Sequence, residues 1–213
     1  MSKAAYWAKK LSKYNDADWA GQPSLFVQEA VKFYPTNARV LEIGTGTGND
    51  GLWLAQEGYK VTMTDFIDDL FPTINEEAAS EGVRVELKKL DVRELSELSS
   101  ESFDVVHANL SLHYFDMATT KQIFAEIKRI LTPGGVLSAL CNSTDDSECG
   151  EGEEIEQNYY KINEIEKRFL DVDTAKELSH EFNPLAIDNR GETYKDRAIG
   201  VRNLIRIIVK KGN

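Results

Sequence analysis

A glycine-rich turn carries the clearest chemical signal in the sequence. Gly44, Gly46 and Gly48 alternate directly after the apolar run 40–43, and a helical pattern follows them. Glycines leave room for a ligand to approach the backbone closely. The amides at the start of the helix favour a negative or polar group in the same space. The pattern therefore predicts a strand, a tight turn and a helix that hold a nucleotide-like ligand.

The register of the glycines decides which nucleotide the turn would hold. Gly46, Gly48 and Gly51 form a literal GxGxxG, which is the dinucleotide-binding pattern. The register that starts at Gly44 follows the apolar run directly and places Glu42 two residues before the first glycine. An acid followed by GxGxG resembles the first motif of the class I S-adenosylmethionine (SAM) methyltransferases. A glycine turn that binds nothing remains the alternative.

A second acid, Asp65, ends the predicted strand 59–65. In a doubly wound fold the end of the second strand lies beside the first glycine turn, where an acid can accept hydrogen bonds from ribose hydroxyls. NAD and SAM both carry an adenosine ribose, so Asp65 indicates a nucleoside without choosing between them. A solvated acid at the end of a strand is the alternative.

Further segments strengthen the resemblance. Strand 83–90 ends at Asp91-Val92, which is similar to the adenine-binding segment of the family. The stretch FDVVHANLSLHYF at 103–115 looks like the family's fourth strand, whose end faces the departing methyl group, and LTPGGVLSA resembles the turn that follows. The N-terminal aromatics are expected either to cover the cofactor or to pack on the sheet edge. The candidate cofactor-binding residues are Tyr6, Trp7, Glu42, Gly44, Thr45, Gly46, Gly48, Asp65, Phe66, Asp91, Val92, Asn109 and Leu110.

Two side chains beyond the fourth strand are candidates for catalysis. His113 and Tyr114 lie past the strand end, where the loops of open α/β sheets carry function. A thiolate or selenide acceptor needs little help from a base. A phenol or amine acceptor would need one, with His113 as the first candidate and Tyr114 as the second. His107 falls inside the strand and is interpreted as structural.

The elements that must position these residues follow in chain order. Periodicity predicts helices at 3–14, 24–34, 49–57, 68–80 and 117–131, with Asn49 or Asp50 capping the third. A further helix, capped by Asp173 or Thr174, precedes two final strands at 184–189 and 201–209. We predict a Rossmann-like, doubly wound, seven-stranded and mostly parallel sheet with one antiparallel strand. The single domain divides into cap helices at 1–37, a SAM-binding core at 38–142, a lid or insertion at 143–170, and a C-terminal helix and strand hairpin at 171–213.

The segment 143–163 is too long for a simple connection. We expect a lid, with a disordered acidic loop as the alternative at 144–154. Lys167, Arg168, Arg190 and Arg197 would place positive charge near an anionic acceptor, or else pair with nearby acids at the surface.

Composition limits the partners. The formal net charge of −11 argues against nucleic acid as the substrate. Cys141 and Cys149 match no zinc or redox spacing, and no metal site is expected. The N-terminus lacks the apolar region of a secretory signal, and no apolar run reaches the length of a membrane span. We expect a reduced, cytoplasmic protein with no membrane association, and the sequence does not predict its oligomeric state.

Taken together, the segments resemble class I methyltransferases of the small-molecule type, including the thiopurine and tellurite-resistance enzymes. The resemblance implies transfer of a methyl group from SAM to a small molecule by in-line displacement. Two alternatives stay open: a nicotinamide-dependent oxidoreductase, and a SAM-binding protein without catalytic activity. The segment Asn109-Leu110-Ser111-Leu112 lacks the Asn/Asp-Pro-Pro-Tyr/Phe pattern of enzymes that methylate nucleic-acid amino groups.

Overall fold

The computed structural model describes residues 3–11, 20–193 and 203–213. The α-helices are α1 Lys3–Leu11, α2 Leu25–Ala30, α3 Asn49–Gln56, α4 Phe71–Ser80, α5 Met117–Ile130 and α6 Val172–Leu178, and short 3₁₀ helices span Val31–Phe33 and Val92–Glu97. The strands are β1 Arg39–Ile43, β2 Lys60–Asp65, β3 Glu86–Lys89, β4 Phe103–Asn109, β5 Leu131–Cys141, β6 Glu153–Glu156, β7 Tyr159–Ile162, β8 Ile165–Arg168, β9 Asn183–Gly191 and β10 Leu204–Lys210.

Seven of these strands form one sheet in the order β3-β2-β1-β4-β5-β10-β9. Strands β1 to β5 run parallel, whereas β10 pairs antiparallel with both β5 and β9. From β1 the strand order runs outward both ways, to β2 and β3 on one side and to β4 and β5 on the other. This reversal of the strand order between β1 and β4 is the topological switch point where open α/β sheets bind ligands. The predicted fold class, including the one antiparallel strand, is confirmed.

Helices cover both faces of the sheet, so its central strands are apolar on both sides. In β1, Leu41 and Ile43 pack into the layer under α5 and α6, whereas Val40 packs into the layer under α2, α3 and α4. All three are buried. Truncating a residue such as Leu41 to alanine would cost about 2–5 kcal/mol, because the surroundings relax only partly around the cavity.

Two helix starts differ from the sequence predictions. Helix α3 begins after Gly48 in a left-handed conformation, so neither Asn49 nor Asp50 is its N-cap. Helix α6 is capped by Asp171, whose carboxylate accepts a hydrogen bond from the Thr174 amide at 2.7 Å, and it ends at Leu178. Asp50 does not cap α3 because its carboxylate accepts hydrogen bonds from Ser24, His107 and Asn109 instead.

The segment expected to be a lid contains a small antiparallel sheet in the order β6-β7-β8, which sequence reasoning did not predict. Its strands have only four residues each, and left-handed Asn158 and Asn163 form the turns between them. The preceding residues 144–152 form turns rather than a disordered loop, because amides of Asp146 and Cys149 bond to carbonyls three residues earlier.

The predicted first helix at 3–14 and last strand at 201–209 fall only partly within the described residues. The first helix ends at Leu11, and residues 12–14 and Trp19 lie outside them. Strand β10 begins at Leu204, three residues after the predicted start at residue 201. Residues 201–202 are outside the described part of the chain. No helix among the described residues is both long and apolar enough to cross a bilayer.

Candidate active site

A cavity of about 780 Å³ opens at the carboxyl edge of the parallel strands. The ends of β1, β2 and β4 form its floor, α1 closes one side, and β7 and β8 close another. Most of the candidate residues line it: Trp7, Glu42, Gly44, Thr45, Gly46, Asp65, Phe66, Asp91, Val92, Asn109, Leu110, His113 and Tyr114. Two do not. Tyr6 stacks edge-on against Trp7 with ring centroids 5.5 Å apart, and Gly48 lies behind the turn.

The three glycines of the turn have different roles. All have positive φ, at 72° for Gly44, 55° for Gly46 and 87° for Gly48. A side chain at Gly44 would collide with Ser111, and one at Gly48 would come within 2.9 Å of Ile74. At Gly46 the nearest atom is the Leu11 side chain at 3.5 Å, on the cavity side. Packing therefore requires two of the glycines, and only Gly46 leaves free space for a ligand.

Glu42 lies beneath the turn and is 3% exposed. It accepts a hydrogen bond from Thr45 Oγ1 at 2.5 Å, and Gly51 leaves the space that its carboxyl group occupies. Burial, with repulsion from Asp50, raises the pKa of Glu42 to about 8. The side chain is therefore protonated at neutral pH in the protein alone.

Asp50 is a buried, ionised acid of the pocket, and not the helix cap that the sequence predicts. It is buried and accepts hydrogen bonds from the amide and hydroxyl of Ser24, at 2.7 and 2.8 Å. His107 Nε2 and Asn109 Nδ2 lie 3.1 and 2.9 Å from its second oxygen. Burial opposes ionisation, but the bonds to His107 and Ser24 outweigh it and hold the pKa of Asp50 below its ordinary value.

His107 supports Asp50 from inside β4, as its position in the strand predicted. Its Nδ1 lies 2.9 Å from the Tyr34 hydroxyl and 3.1 Å from Ser138 Oγ. Phe26 stacks on the ring at 5.5 Å. Glu42, Asp50 and His107 offer ligand atoms within 4.8 Å of one another. However, both His107 nitrogens and both Asp50 oxygens already have protein partners, which leaves this donor set poorly suited to a metal.

Asp65 is fixed by backbone amides at the edge of the cavity. Its oxygens accept hydrogen bonds from Gly46 N and Ile67 N, each at 3.1 Å. Each carboxylate oxygen can accept a further bond, so lone pairs remain for hydroxyl donors. Burial raises the pKa of Asp65, and the amides partly offset this. Asp91 is engaged differently, because it caps the following 3₁₀ helix and pairs with Arg93 at 2.5 Å.

The chain leaves β4 through a strained residue. Leu110 has φ of +56°, a left-handed conformation that costs a branched residue about 1–2 kcal/mol. Ser111 then donates a hydrogen bond to Ile43 O at 2.6 Å, which fixes the exit beside the glycine turn. Asn109 Oδ1 is buried and has no hydrogen-bond partner among the described residues. Strain of this kind often accompanies a binding site.

His113 and Tyr114 come together beyond that exit, with ring centroids 4.3 Å apart. His113 is 2% exposed, and its Nδ1 has no hydrogen-bond partner among the described residues. Burial and the ammonium groups of Lys167 and Lys10 lower the pKa of His113 to about 3. The imidazole is therefore neutral at physiological pH and is a weaker base than an ordinary histidine.

The four cations considered from the sequence are placed very differently. Lys167 lines the cavity and pairs with Glu148 at 2.5 Å. Arg168 is buried against Phe115 and Glu156 outside the cavity lining. Arg190 is largely exposed and pairs with Asp188 at 3.2 Å, and Arg197 lies outside the described residues.

Sequence reasoning missed Lys10, which reaches the cavity from α1. Its Nζ lies 5.1 Å from the centroid of Trp7 and 5.9 Å from that of Tyr6. The available signal was the spacing of three and four residues, which places the lysine and both rings on one face of the helix.

Comparison with known proteins is consistent with this geometry. Residues 40–135 match the profile of a methyltransferase domain family. A putative methyltransferase of a Geobacillus species is 29% identical over 142 residues, which cover 66% of this chain and 56% of the relative. The SAM-dependent Diels-Alderase iccD of Talaromyces variabilis is 31% identical over 105 residues, covering 47% and 35% respectively.

A third relative, the probable SAM-dependent methyltransferase TehB of Haemophilus influenzae, is 26% identical over 148 residues that cover 69% of this chain and 48% of the relative. The chain thus spans between 35% and 56% of the length of these relatives.

Among solved structures, a Burkholderia thailandensis 1,6-didemethyltoxoflavin-N1-methyltransferase with bound 1,6-didemethyltoxoflavin and S-adenosylhomocysteine has a similar fold. Its TM-score is 0.72 at 21% identity, and the match covers 99% of this chain and 88% of that one.

Proposed function

Because residues 40–135 match a methyltransferase-domain family and the relatives include SAM-dependent methyltransferases, we propose that the chain is a class I SAM-dependent methyltransferase that methylates a small-molecule acceptor by in-line displacement. One observation carries the proposal. A single cavity joins the glycine turn and Asp65 at one end to His113 and Tyr114 at the other. Its volume lies within the range of 300–1,000 Å³ that is typical of small-molecule sites.

The residues at the glycine turn fit SAM. Gly46 leaves space beside the turn, and Asp65 offers fixed lone pairs for the ribose hydroxyls. Asn109 Oδ1, buried without a partner among the described residues, offers an acceptor for the ammonium group, and the ionised Asp50 beside it supplies negative charge. An unpartnered buried acceptor costs about 1–3 kcal/mol, which a bound donor would recover. When bound, SAM supplies a methyl group on a positively charged sulfur.

The end of the cavity at His113 and Tyr114 is suited to holding and aligning the methyl acceptor rather than to removing a proton from it. Holding two reactants in line supplies a large share of a displacement rate, because effective molarities reach about 10⁵ M or more. His113 is neutral and weakly basic, so it suits an acceptor that is already nucleophilic when it binds. A phenol or amine that needs deprotonation would still depend on His113 first and Tyr114 second.

The cofactor assignment is tested by Asp65→Ala. Loss of a hydrogen-bonded carboxylate should weaken SAM binding by about 1.5–3 kcal/mol in calorimetry. Asp69→Ala is the matched control, since Asp69 is exposed and outside the cavity lining. Unchanged SAM affinity in the Asp65 variant would sink the assignment. Metabolite profiling with methyl-labelled SAM would then identify the acceptor.

A thermal-shift comparison of SAM with NADH distinguishes the proposed methyltransferase from the nicotinamide-dependent oxidoreductase alternative. A ligand at one hundred times its dissociation constant stabilises the folded state by about 2.7 kcal/mol, so the true cofactor should raise the Tm clearly. A SAM-dependent enzyme that does not transfer the methyl group is a further candidate, distinct from a SAM-binding protein without catalytic activity, and the similarity to a relative named as a SAM-dependent Diels-Alderase favours it. It predicts SAM binding with no label transferred to any metabolite.

A further inference from the structure

The part of the cavity beyond Asn109 brings together Lys10 from α1, Lys167 from β8 and the imidazole of His113. We propose that this part binds an acceptor with an aromatic ring that carries an anionic oxygen, with Lys10, Lys167 and His113 around that oxygen. The inference rests on the proposed function, because it names the acceptor class of the same site.

The first argument is the local charge. The charged groups that act on the His113 ring are the ammonium groups of Lys167 and Lys10. Among the described residues no carboxylate lies within ion-pair distance of Lys10, whose Nζ lies over the Trp7 and Tyr6 rings. Glu148, which is paired with Lys167, attracts Lys10 from farther away. A partly buried ammonium group without a paired carboxylate attracts an anion more strongly than an exposed one would, because water screens it less.

The carboxylates at this end of the cavity already have donors. Glu148 pairs with Lys167, Asp146 accepts the Glu148 amide at 2.9 Å, and Glu166 accepts the Tyr159 hydroxyl at 3.3 Å. An anion beside Lys10 would therefore add an ion pair without breaking one. The chain as a whole is acidic, so the local positive charge of these lysines differs in sign from the net charge of the protein.

The second argument is the unpartnered nitrogen. His113 Nδ1 is buried, lines the cavity through its ring, and has no hydrogen-bond partner among the described residues. A neutral imidazole can carry its proton on either nitrogen. Between two ammonium groups, the tautomer that donates from Nδ1 to an anionic oxygen is the favoured arrangement.

The third argument is the shape of the wall. Trp7 and Tyr114 meet edge-to-face at 5.1 Å, and Tyr114 also packs on His113. Aromatic surfaces of this kind favour offset-stacked or edge-on contacts with a flat ring, which add to the burial of apolar area. A planar aromatic ligand with one anionic edge fits both the walls and the cations.

The test uses the full chain saturated with S-adenosylhomocysteine and two probes of nearly the same shape, salicylate and the uncharged salicylamide. Calorimetry should show salicylate binding at least tenfold more tightly. Lys10→Met should remove the difference, whereas the neighbouring exposed Lys9→Met should keep it. The ¹⁵N chemical shift of His113 Nδ1 should change with salicylate and much less with salicylamide.

Equal or weaker binding of salicylate, or full discrimination in the Lys10→Met variant, would overturn the inference. If S-adenosylhomocysteine does not bind, the proposed function fails instead. The same two titrations without it then decide the inference by the same tenfold criterion, so the two failures are distinguishable.

Discussion

At the scale of single residues, Glu42 and Asp50 show how one pocket shifts the pKa values of two neighbouring acids in opposite directions. Both carboxyl groups are buried, yet the pKa of Glu42 is raised to about 8 and that of Asp50 is lowered. Glu42 receives hydrogen bonds from the Thr45 hydroxyl and the Gly51 amide, whereas Asp50 receives bonds from Ser24, His107 and Asn109. The donors around Asp50, His107 above all, favour its charged form, whereas burial and repulsion from Asp50 keep Glu42 protonated.

The raised pKa of Glu42 predicts a pH dependence of stability. Between about pH 4.5 and pH 8 the folded chain keeps a proton on Glu42 that the unfolded chain has lost, so the free energy of unfolding falls as pH rises through this window. Glu42→Gln should remove that contribution. Relative to the parent, the variant should gain on the order of a few kcal/mol in urea unfolding between pH 5 and pH 9.

Glu76→Gln, at an exposed position of α4, is the control and should follow the parent at every pH. If the difference between Glu42→Gln and the parent does not vary with pH, Glu42 is not protonated in the folded state.

Residue types and spacing predicted which residues gather around the cavity, but not what each one does. The turn glycines were predicted from their register, yet the collision partners of Gly44 and Gly48 come from segments distant in sequence. The sequence predicts Asp50 as a helix cap because its true partners are distant: the bonds to Ser24 and His107 span 26 and 57 residues. Long-range partners of this kind leave no local pattern.

At the scale of elements, Arg168 ties the lid sheet to the segment that carries His113 and Tyr114. Its amide donates to His113 O at 2.8 Å and its Nε to Phe115 O at 3.0 Å. Its guanidinium pairs with Glu156 at 2.6 Å, and Glu156 also accepts the Met117 amide at the start of α5. Arg168 thus joins the β6-β7-β8 sheet to the segment 113–117, and we expect this sheet to act as a fixed wall of the cavity.

Arg168→Met should lower stability by about 2–3 kcal/mol in urea unfolding, because buried acceptors lose their donor. SAM affinity should stay near that of the parent, since the glycine turn is untouched, while turnover falls as His113 and Tyr114 lose their support. Arg168→Lys should recover the positive charge but not the forked hydrogen bonds, and so only part of the stability. Full turnover in the methionine variant would show that the wall does not position these residues.

The main sheet is predictable from the sequence because its strands and helices alternate, and several helices end just before a glycine or proline, such as Gly58, Gly82 and Pro133. The lid sheet is not. Strands such as β6 and β7 have four residues each, and their acidic composition matches that of a disordered loop. Arg168, Tyr159 and Phe169 in this segment are buried, and burial by partners distant in sequence leaves no local pattern.

At the scale of the whole molecule, the charge predicts which partners are excluded. The formal net charge of −11 repels the phosphate backbone, whose binding relies on lysine and arginine contacts. Filter binding at low salt should give no sub-micromolar affinity for DNA or RNA. Tight binding with a steep salt dependence would contradict the prediction of a small-molecule acceptor.

The place of β10 in the sheet has a consequence for how the chain folds. This strand comes after β9 in the chain but lies between β5 and β9, and its residues enter both hydrophobic layers. During synthesis, β9 cannot join the sheet until β10 has emerged, so the edge of β5 waits unpaired. Such late, non-local pairing slows folding and leaves a strand edge open to other chains. We expect nascent chains paused before residue 204 to need chaperone protection that the completed chain does not.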